Sequence, residues 1–162
     1  MRENSDRGDL PAEVVAVEAL ADPPGVTLFP EEEAVIAMAV DKRRREFSTV
    51  RHCARLALAT LGLPRSPLLP GERGAPQWPV GVVGGMTHCA GYRAAAVARA
   101  RDVVTIGIDA EPHAVLPEGV LEVVALPEER FTGRWLILDE LVVTAVVLLP
   151  STPEFCVGQA RV

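Results

Sequence analysis

The sequence predicts an α/β (α+β) fold in which a mixed sheet packs against one long helix. Residues 41–61 place apolar side chains at helical spacing, as a helix with one core face does. Three apolar runs follow at residues 80–85, 93–98 and 103–109, each with the length of a strand and bounded by turn residues. The third run is almost continuously apolar, which is typical of a strand buried on both faces. We therefore expect these three strands to share one sheet, with residues 103–109 at its centre.

The composition is that of one folded domain. The 162 residues are 49% hydrophobic and 23% charged, which is ordinary for a globular chain with a real core. A net charge of −6 argues against nucleic acid as a partner. No apolar run is long enough to span a bilayer, so we expect no membrane partner. The three cysteines leave at least one unpaired, which indicates reduced thiols in the cytoplasm rather than a disulfide framework.

The first half of the chain is predicted to hold a leader, a strand and two helices. Residues 1–10 are polar and predict a disordered leader, and the β-branched residues of 14–20 favour a strand. Pro30, followed by three glutamates, predicts a helix start, because proline suits the first helical position and acids suit the first turn. The helix over residues 41–61 should end at Gly62. Its predicted core face consists of Phe47, Val50, Ala54, Leu58 and Leu61.

A separate face of the second helix carries Arg44, Arg51 and Arg55, spaced seven and four residues apart. Such a basic stripe is usually a solvated surface. It can also bind an anion, since arginine makes planar, bidentate contacts with phosphate. Residues 63–79 are rich in Pro and Gly and predict a loop, which carries Arg73.

The remaining elements are predicted from shorter patterns. Residues 117–126 predict a helix, and residues 134–138 and 141–149 predict a closing hairpin over Asp139 and Glu140. Residues 151–162 predict a mobile tail. Residues 11–150 then form a single domain.

Two carboxylates mark the end of the third apolar run. Side chains alternate along a strand, so Asp109 and Glu111 should project from one face, and Pro112 should end the strand. Carboxylates held side by side suit a hard cation such as Mg²⁺. Asp-x-Glu alone is a weak motif, and two solvated acids at a strand end are the alternative.

Histidine and cysteine give weaker signals. His88 stands alone before a turn, and a lone histidine is more often structural than functional. The adjacent pairs His52-Cys53 and His88-Cys89 fit no standard zinc spacing, so simple packing is favoured over zinc. A Cys-His catalytic pair is equally weakly supported.

Five segments in order resemble the 4′-phosphopantetheinyl transferases, in particular the surfactin/enterobactin type of the actinobacterial branch. The resemblance runs from about residue 30 to 130 and resumes near the C-terminal end, and several motifs in order are far more specific than any one. The segments are KRRREF at 42–47, RHCAR at 51–55, GERGAP at 71–76, MTHCAGY at 86–92 and GIDAEP at 107–112.

The resemblance implies transfer of 4′-phosphopantetheine from coenzyme A to a serine of an acyl or peptidyl carrier protein, as in siderophore or polyketide assembly. It implies that Arg43 and Arg51 hold the 3′-phosphate of coenzyme A. It places Arg73 near the coenzyme A phosphates, and Thr87-His88 matches the family's Ser/Thr-His motif, whose histidine contacts the pyrophosphate.

The same resemblance implies Mg²⁺ on Asp109 and Glu111, and it leaves one large departure. Full-length members continue with a helix that carries Lys-Glu and, after three further residues, Lys. The glutamate of that motif completes the metal site, and the lysine and glutamate assist chemistry on the carrier-protein serine. The only lysine of this sequence, Lys42, lies upstream. We therefore expect most of the second lobe to be missing, with an internal deletion near residues 130–131, and we assign no catalytic base. The alternative function is a coenzyme A-binding remnant with little or no activity. The closing hairpin, or a homodimer, could cover the apolar surface left exposed.

Overall fold

The computed structural model describes residues 2–3, 10–112, 134–138 and 141–150, without the side chains of residues 2–3, 73 and 134–138. Several predictions lie outside these residues: the helix at 117–126, the deletion near 130–131, the turn at Asp139 and Glu140, and the tail at 151–162. The predicted α+β class, with a long helix packed on a sheet, is confirmed. All described strand pairs are antiparallel.

The first sheet contains four strands in the order β1-β2-β4-β3. Its middle strand β4 is buried from Tyr92 to Ala98, and small alanine side chains let both neighbouring layers approach closely. Strand β1 pairs with β2 in a segment where the sequence predicts a disordered leader, and residues 4–9 lie outside the described part. The strands are β1 (Arg2–Glu3), β2 (Val15–Ala19), β3 (Val82–Cys89) and β4 (Tyr92–Arg99).

One long helix covers one face of this sheet, and a short helix precedes it in the chain. Helix α1 spans Pro30–Val35 and starts at the predicted proline. Helix α2 spans Asp41–Thr60, and Gly62 follows it with a φ of 75°, a left-handed conformation that glycine adopts without a steric cost. The predicted core face of α2 is confirmed, with Leu61 partly buried beside it. Residues 63–79 form the predicted loop, with a short 3₁₀ helix at Glu72–Gly74.

The second sheet contains β5 (Thr105–Pro112), β6 (Arg134–Leu138) and β7 (Leu141–Leu148), in the order β5-β7-β6. The hairpin predicted from residues 134–138 and 141–149 is confirmed. One buried face of this sheet packs on the back of the first sheet, where Ile106 and Val147 meet Ala96 and Ala98.

Two predictions about the third apolar run are wrong. Strand β5 does not share a sheet with β3 and β4, and among the described strands it is an edge, with β7 in the middle. The run is apolar for a different reason: the two sheets stack face to face. A Cβ atom added to Gly85 of β3 would lie 3.1 Å from Cγ1 of Ile108, so glycine permits this close stacking. Ile106 is buried, whereas Val104 is 49% exposed.

Candidate functional site

A cleft of about 400 Å³ opens where α2, strand β3 and the loop at residues 63–79 meet. It is lined by Arg43 and Arg51 from α2 and by Thr87 and His88 from β3. The fold therefore brings together four of the residues that the sequence predicts for coenzyme A. Gly74 of the 3₁₀ helix also lines the cleft, so the backbone beside Arg73 lies at its rim.

The exposed side of the cleft is formed by a pair of side chains. Nη1 of Arg43 is in hydrogen-bonding contact with Nε2 of His88. Because a guanidinium can only donate, Nε2 of His88 is the acceptor in this contact. The carboxylate of Glu46 lies 3.9 Å from the same nitrogen. The side chains of Arg43 and His88 are thus accessible at the surface and in contact with each other.

Arg51 forms the buried side of the cleft. Its guanidinium carbon lies 3.2 Å from the centroid of the Phe47 ring, and its Nε donates to the carbonyl oxygen of Leu68 at 2.9 Å. Burial, opposed by the nearby Glu32 carboxylate, lowers the pKa of Arg51 to about 10. Arg51 therefore remains a cation at neutral pH, held in a fixed orientation.

The predicted basic stripe of Arg44, Arg51 and Arg55 is wrong as a single surface. Nη1 of Arg55 donates to both carboxylate oxygens of Glu32, at 2.9 and 3.0 Å. Burial, opposed by Glu32, lowers the pKa of Arg55. Arg44 instead contacts α1 from outside, where it pairs with Glu33 and donates to the carbonyl oxygen of Ile36 at 2.9 Å. The stripe is divided because α1 lies across it.

The predicted carboxylate pair lies on one face of β5. Asp109 and Glu111 are both exposed, and Ala110 between them is buried. Neither carboxylate forms an ion pair with another described residue. Within the described ranges no group of three or more His, Cys, Asp or Glu side chains is placed to hold a metal ion. Two unpaired carboxylates on one face do fit part of the oxygen shell of a hard cation.

Thr87 connects the carboxylates to the cleft. Its hydroxyl donates to Oδ1 of Asp109 at 3.3 Å and accepts from the backbone N–H of Ala110 at 3.0 Å. This side chain, which lines the cleft on β3, therefore fixes β5 and its acidic face beside the cleft.

Three polar residues of the site are missing from the sequence prediction. Glu32 is fully buried behind Arg51, and Glu46 and Arg93 lie behind His88. Nη2 of Arg93 lies 3.7 Å from Glu46 and donates to Asp22 at 3.2 Å. A signal for Glu32 does exist, since a glutamate three residues after the residue that caps a helix start, here Phe29, often binds the backbone of that residue. No comparable pattern marks Glu46 or Arg93.

Comparison with known proteins identifies the family. Residues 31–98 match the 4′-phosphopantetheinyl transferase N-terminal domain. The chain is 59% identical over 130 residues to the 4′-phosphopantetheinyl transferase Svp of Streptomyces mobaraensis, covering 78% of this chain and 52% of that protein. It is 59% identical over 113 residues to PptT of Mycobacterium tuberculosis, covering 70% and 50%. It is 59% identical over 127 residues to Npt of Nocardia iowensis, covering 78% and 56%.

The chain belongs to the 4′-phosphopantetheinyl transferase family, as the order of its sequence motifs predicts. It spans about half the length of the curated relatives it matches. None of the helices in the described part is both long and apolar enough to cross a membrane.

Proposed function

We propose that this chain transfers the 4′-phosphopantetheine group of coenzyme A to a serine of an acyl or peptidyl carrier protein, with Mg²⁺, in the cytoplasm. The cleft carries this proposal. Its side chains of Arg43, Arg51 and His88, here called the phosphate grip, can bind phosphate. Thr87 connects this phosphate grip to the carboxylate pair on β5. Identity of 59% to three named transferases supports it. The free thiols of Cys53 and Cys89 suit a reducing compartment.

In this proposal coenzyme A is held mainly by charge-assisted hydrogen bonds. Arg51 uses its Nε for Leu68 and keeps its terminal nitrogens for the 3′-phosphate. Arg43 approaches the same phosphate from the exposed side. His88 and Thr87 contact the pyrophosphate from strand β3. In this proposal Arg73, whose neighbour Gly74 lines the cleft, adds positive charge near the phosphates.

The transfer itself is proposed as a displacement at phosphorus. The carrier serine oxygen bonds to the β-phosphorus of coenzyme A, the bond from that phosphorus to the bridging oxygen breaks, and 3′,5′-ADP leaves with that oxygen. Mg²⁺, held by Asp109 and Glu111, would neutralise charge on the pyrophosphate when bound. The chain's own part is to position the two reactants and to offset negative charge with Arg43, Arg51 and His88. The serine proton needs an acceptor, and we assign none.

A second candidate function is coenzyme A binding with little or no transfer. The observation that favours it is the absence from these 162 residues of the family's Lys-Glu helix, since Lys42 is the only lysine. In this case the phosphate grip would be retained, while a third metal ligand and the base would be lost. General-base assistance is worth roughly 10²–10⁴ in rate, so the transfer would be much slower than in a full-length relative.

Intact-mass spectrometry of a carrier protein incubated with the chain, coenzyme A and Mg²⁺ separates the two candidates. A mass increase of one phosphopantetheine group supports transfer. Coenzyme A binding by calorimetry without any mass increase supports the second candidate. No binding and no mass increase would refute both.

Arg51→Met tests the phosphate grip. One buried charge-assisted contact is worth about 1.5–3 kcal/mol, so we expect the affinity for coenzyme A to fall roughly 10- to 150-fold in calorimetry. Arg101→Met is the matched control, because the side chain of Arg101 is 82% exposed and is not among the residues that line the cleft. Equal affinities for the two variants would show that Arg51 is not a ligand.

Asp109→Ala tests the metal assignment. Two carboxylates supply only part of a six-oxygen shell, so Mn²⁺ should bind weakly alone and more tightly with coenzyme A, whose phosphates complete the shell. We expect the variant to lose the coenzyme A-dependent part of Mn²⁺ binding, measured by electron paramagnetic resonance. Glu31→Ala, an exposed acid on α1, is the control. Unchanged binding in Asp109→Ala would refute the assignment.

A further inference from the structure

Glu32 is a fully buried carboxylate behind the phosphate grip. It accepts from the backbone N–H of Phe29 at 3.0 Å, as a residue in the first turn of a helix commonly does. Its other hydrogen-bond partners lie outside α1. They come from Nη1 of Arg55 at 2.9 and 3.0 Å and from the backbone N–H of Leu68 at 2.8 Å. Glu32 therefore joins α1, α2 and the loop at residues 63–79.

Leu68 is fixed through both of its peptide groups. Its N–H donates to Glu32, its carbonyl oxygen accepts from Nε of Arg51 at 2.9 Å, and its side chain is fully buried. Two residues later the same loop begins to line the cleft, at Pro70, and it continues to Gly74 and Pro76. The position of this wall of the cleft therefore depends on the bond between Glu32 and Leu68.

Arg51 depends on the same carboxylate. Oε1 of Glu32 lies 3.7 Å from Nε of Arg51, which is too long for a hydrogen bond but close for two opposite charges in a buried site. Arg55 shares that oxygen. Without the carboxylate, two buried guanidinium groups would face each other unneutralised, and both would have to move.

We propose that Glu32 is a positioning residue that sets the preference of the cleft for a 3′-phosphorylated nucleotide: by holding Leu68 and neutralising Arg55, it keeps Arg51 aimed at the 3′-phosphate of coenzyme A. The inference rests on the proposed function, because it requires coenzyme A in this cleft. Glu32 itself touches no substrate. Its effect should appear in the ratio of two affinities, for coenzyme A and for dephospho-coenzyme A, which lacks the 3′-phosphate.

Glu32→Gln is the first variant, because the amide keeps the shape of the side chain and an acceptor for Leu68 but carries no charge. We expect calorimetry to show that its preference for coenzyme A over dephospho-coenzyme A is about tenfold below that of the wild type. Binding of dephospho-coenzyme A should change less than about twofold. Glu33→Gln is the matched control, since it removes the same charge from the next position of α1, where Glu33 only pairs with Arg44 on the surface. Its preference should equal that of the wild type.

Glu32→Asp keeps the proposal testable if Glu32→Gln shows no cooperative thermal unfolding. The aspartate retains the charge but is one methylene too short to reach Leu68 and Arg55 as before, so the preference should fall about threefold. In an Arg51→Met background the same change should leave the preference unaltered, because the residue being positioned is gone.

The outcomes are distinct. An unchanged preference in folded Glu32→Gln or Glu32→Asp overturns the inference alone. Equal weakening of both ligands assigns Glu32 a purely structural role, which also overturns it. Tighter binding of coenzyme A would mean that Glu32 competes with phosphate for Arg51, again against the inference. If the wild-type chain binds neither ligand, the proposed function fails and the inference fails with it.

Discussion

The two sheets of the molecule hold their charged side chains in opposite ways. Around the first sheet and α2, three cations are buried and paired: Arg51 and Arg55 with Glu32, and Arg93 with Asp22. On the second sheet, Asp109 and Glu111 are exposed on one face of β5. Among the described residues that face is open, since a Cβ atom added to Gly107 would meet none of their atoms within 4 Å.

In the proposed function, this difference separates two tasks of one site. A buried, paired arginine is already oriented, so a phosphate that binds it costs little further ordering. Two exposed carboxylates repel each other and gain order only when a cation or another partner sits between them. We therefore expect affinity for the nucleotide to be set by the first region and metal dependence by the second. The same contrast predicts that substitutions in the first region cost far more stability.

The largest expected effect is that of Arg55→Met. It would leave Glu32 buried without the guanidinium whose Nη1 contacts both of its carboxylate oxygens, and removing one member of a buried ion pair typically costs about 3–5 kcal/mol. We expect a loss of that size in the free energy of unfolding, measured by urea denaturation. Arg101→Met, which breaks an exposed pair with Asp102, should cost about 0–1 kcal/mol. If the two variants lost equal stability, the buried network would not be the rigid half of the site.

A pair of glycines gives a smaller, matched comparison between the sheets. In Gly84→Ala, the new Cβ would lie 2.5 Å from the carbonyl oxygen of Ala96 and 2.9 Å from Cγ1 of Val97, and overpacking of this kind costs about 1–3 kcal/mol. In Gly107→Ala the new Cβ meets no atom of the described part of the chain within 4 Å. Alanine is favoured over glycine inside a strand by about 0.5–1 kcal/mol, so this variant should be slightly more stable. Destabilisation by Gly107→Ala would show that another part of the chain covers that face.

Local patterns in the sequence account for much of the fold. Helix α2 could be predicted to within a residue, because its apolar residues recur at helical spacing and Gly62 stands just after its last turn. The β6–β7 hairpin and the shared face of Asp109 and Glu111 follow from strand alternation in the same local way. The sheet to which β5 belongs could not be predicted from such local patterns. An apolar run is buried equally well by neighbouring strands or by a second sheet stacked on it, and only the tertiary structure decides between them.

The residues of the site likewise differ in whether a local sequence pattern predicts them. The cleft residues Arg43, Arg51, Thr87 and His88 were predictable from motif order, and the structure brings them together. Whether an arginine of α2 faces solvent or the core depends on a distant partner. Glu32, which pairs with Arg55, is 23 residues away and on another helix. Helical spacing alone therefore groups Arg44 with Arg55, although only the latter is buried.

The smallest expected effect uses Cys89 as a reporter of the open face. Burial raises the pKa of the Cys89 thiol, the Glu111 and Asp109 carboxylates raise it further, and Arg93 opposes them. Replacing a carboxylate lowers that pKa, so at pH 8 Glu111→Gln should increase the fraction of reactive thiolate. A thiolate of lower pKa is also less nucleophilic, so the net gain in the rate of iodoacetamide labelling should be only about 1.5- to 2-fold.

Peptide mass spectrometry resolves Cys89 from Cys53. Burial raises the pKa of Cys53 to about 11, so Cys53 should label far more slowly. Glu31→Gln, which removes an exposed acid of α1, should leave the rate unchanged. A slower rate in Glu111→Gln would mean that the carboxylates do not face Cys89 in solution, and the open acidic face would then have a different geometry.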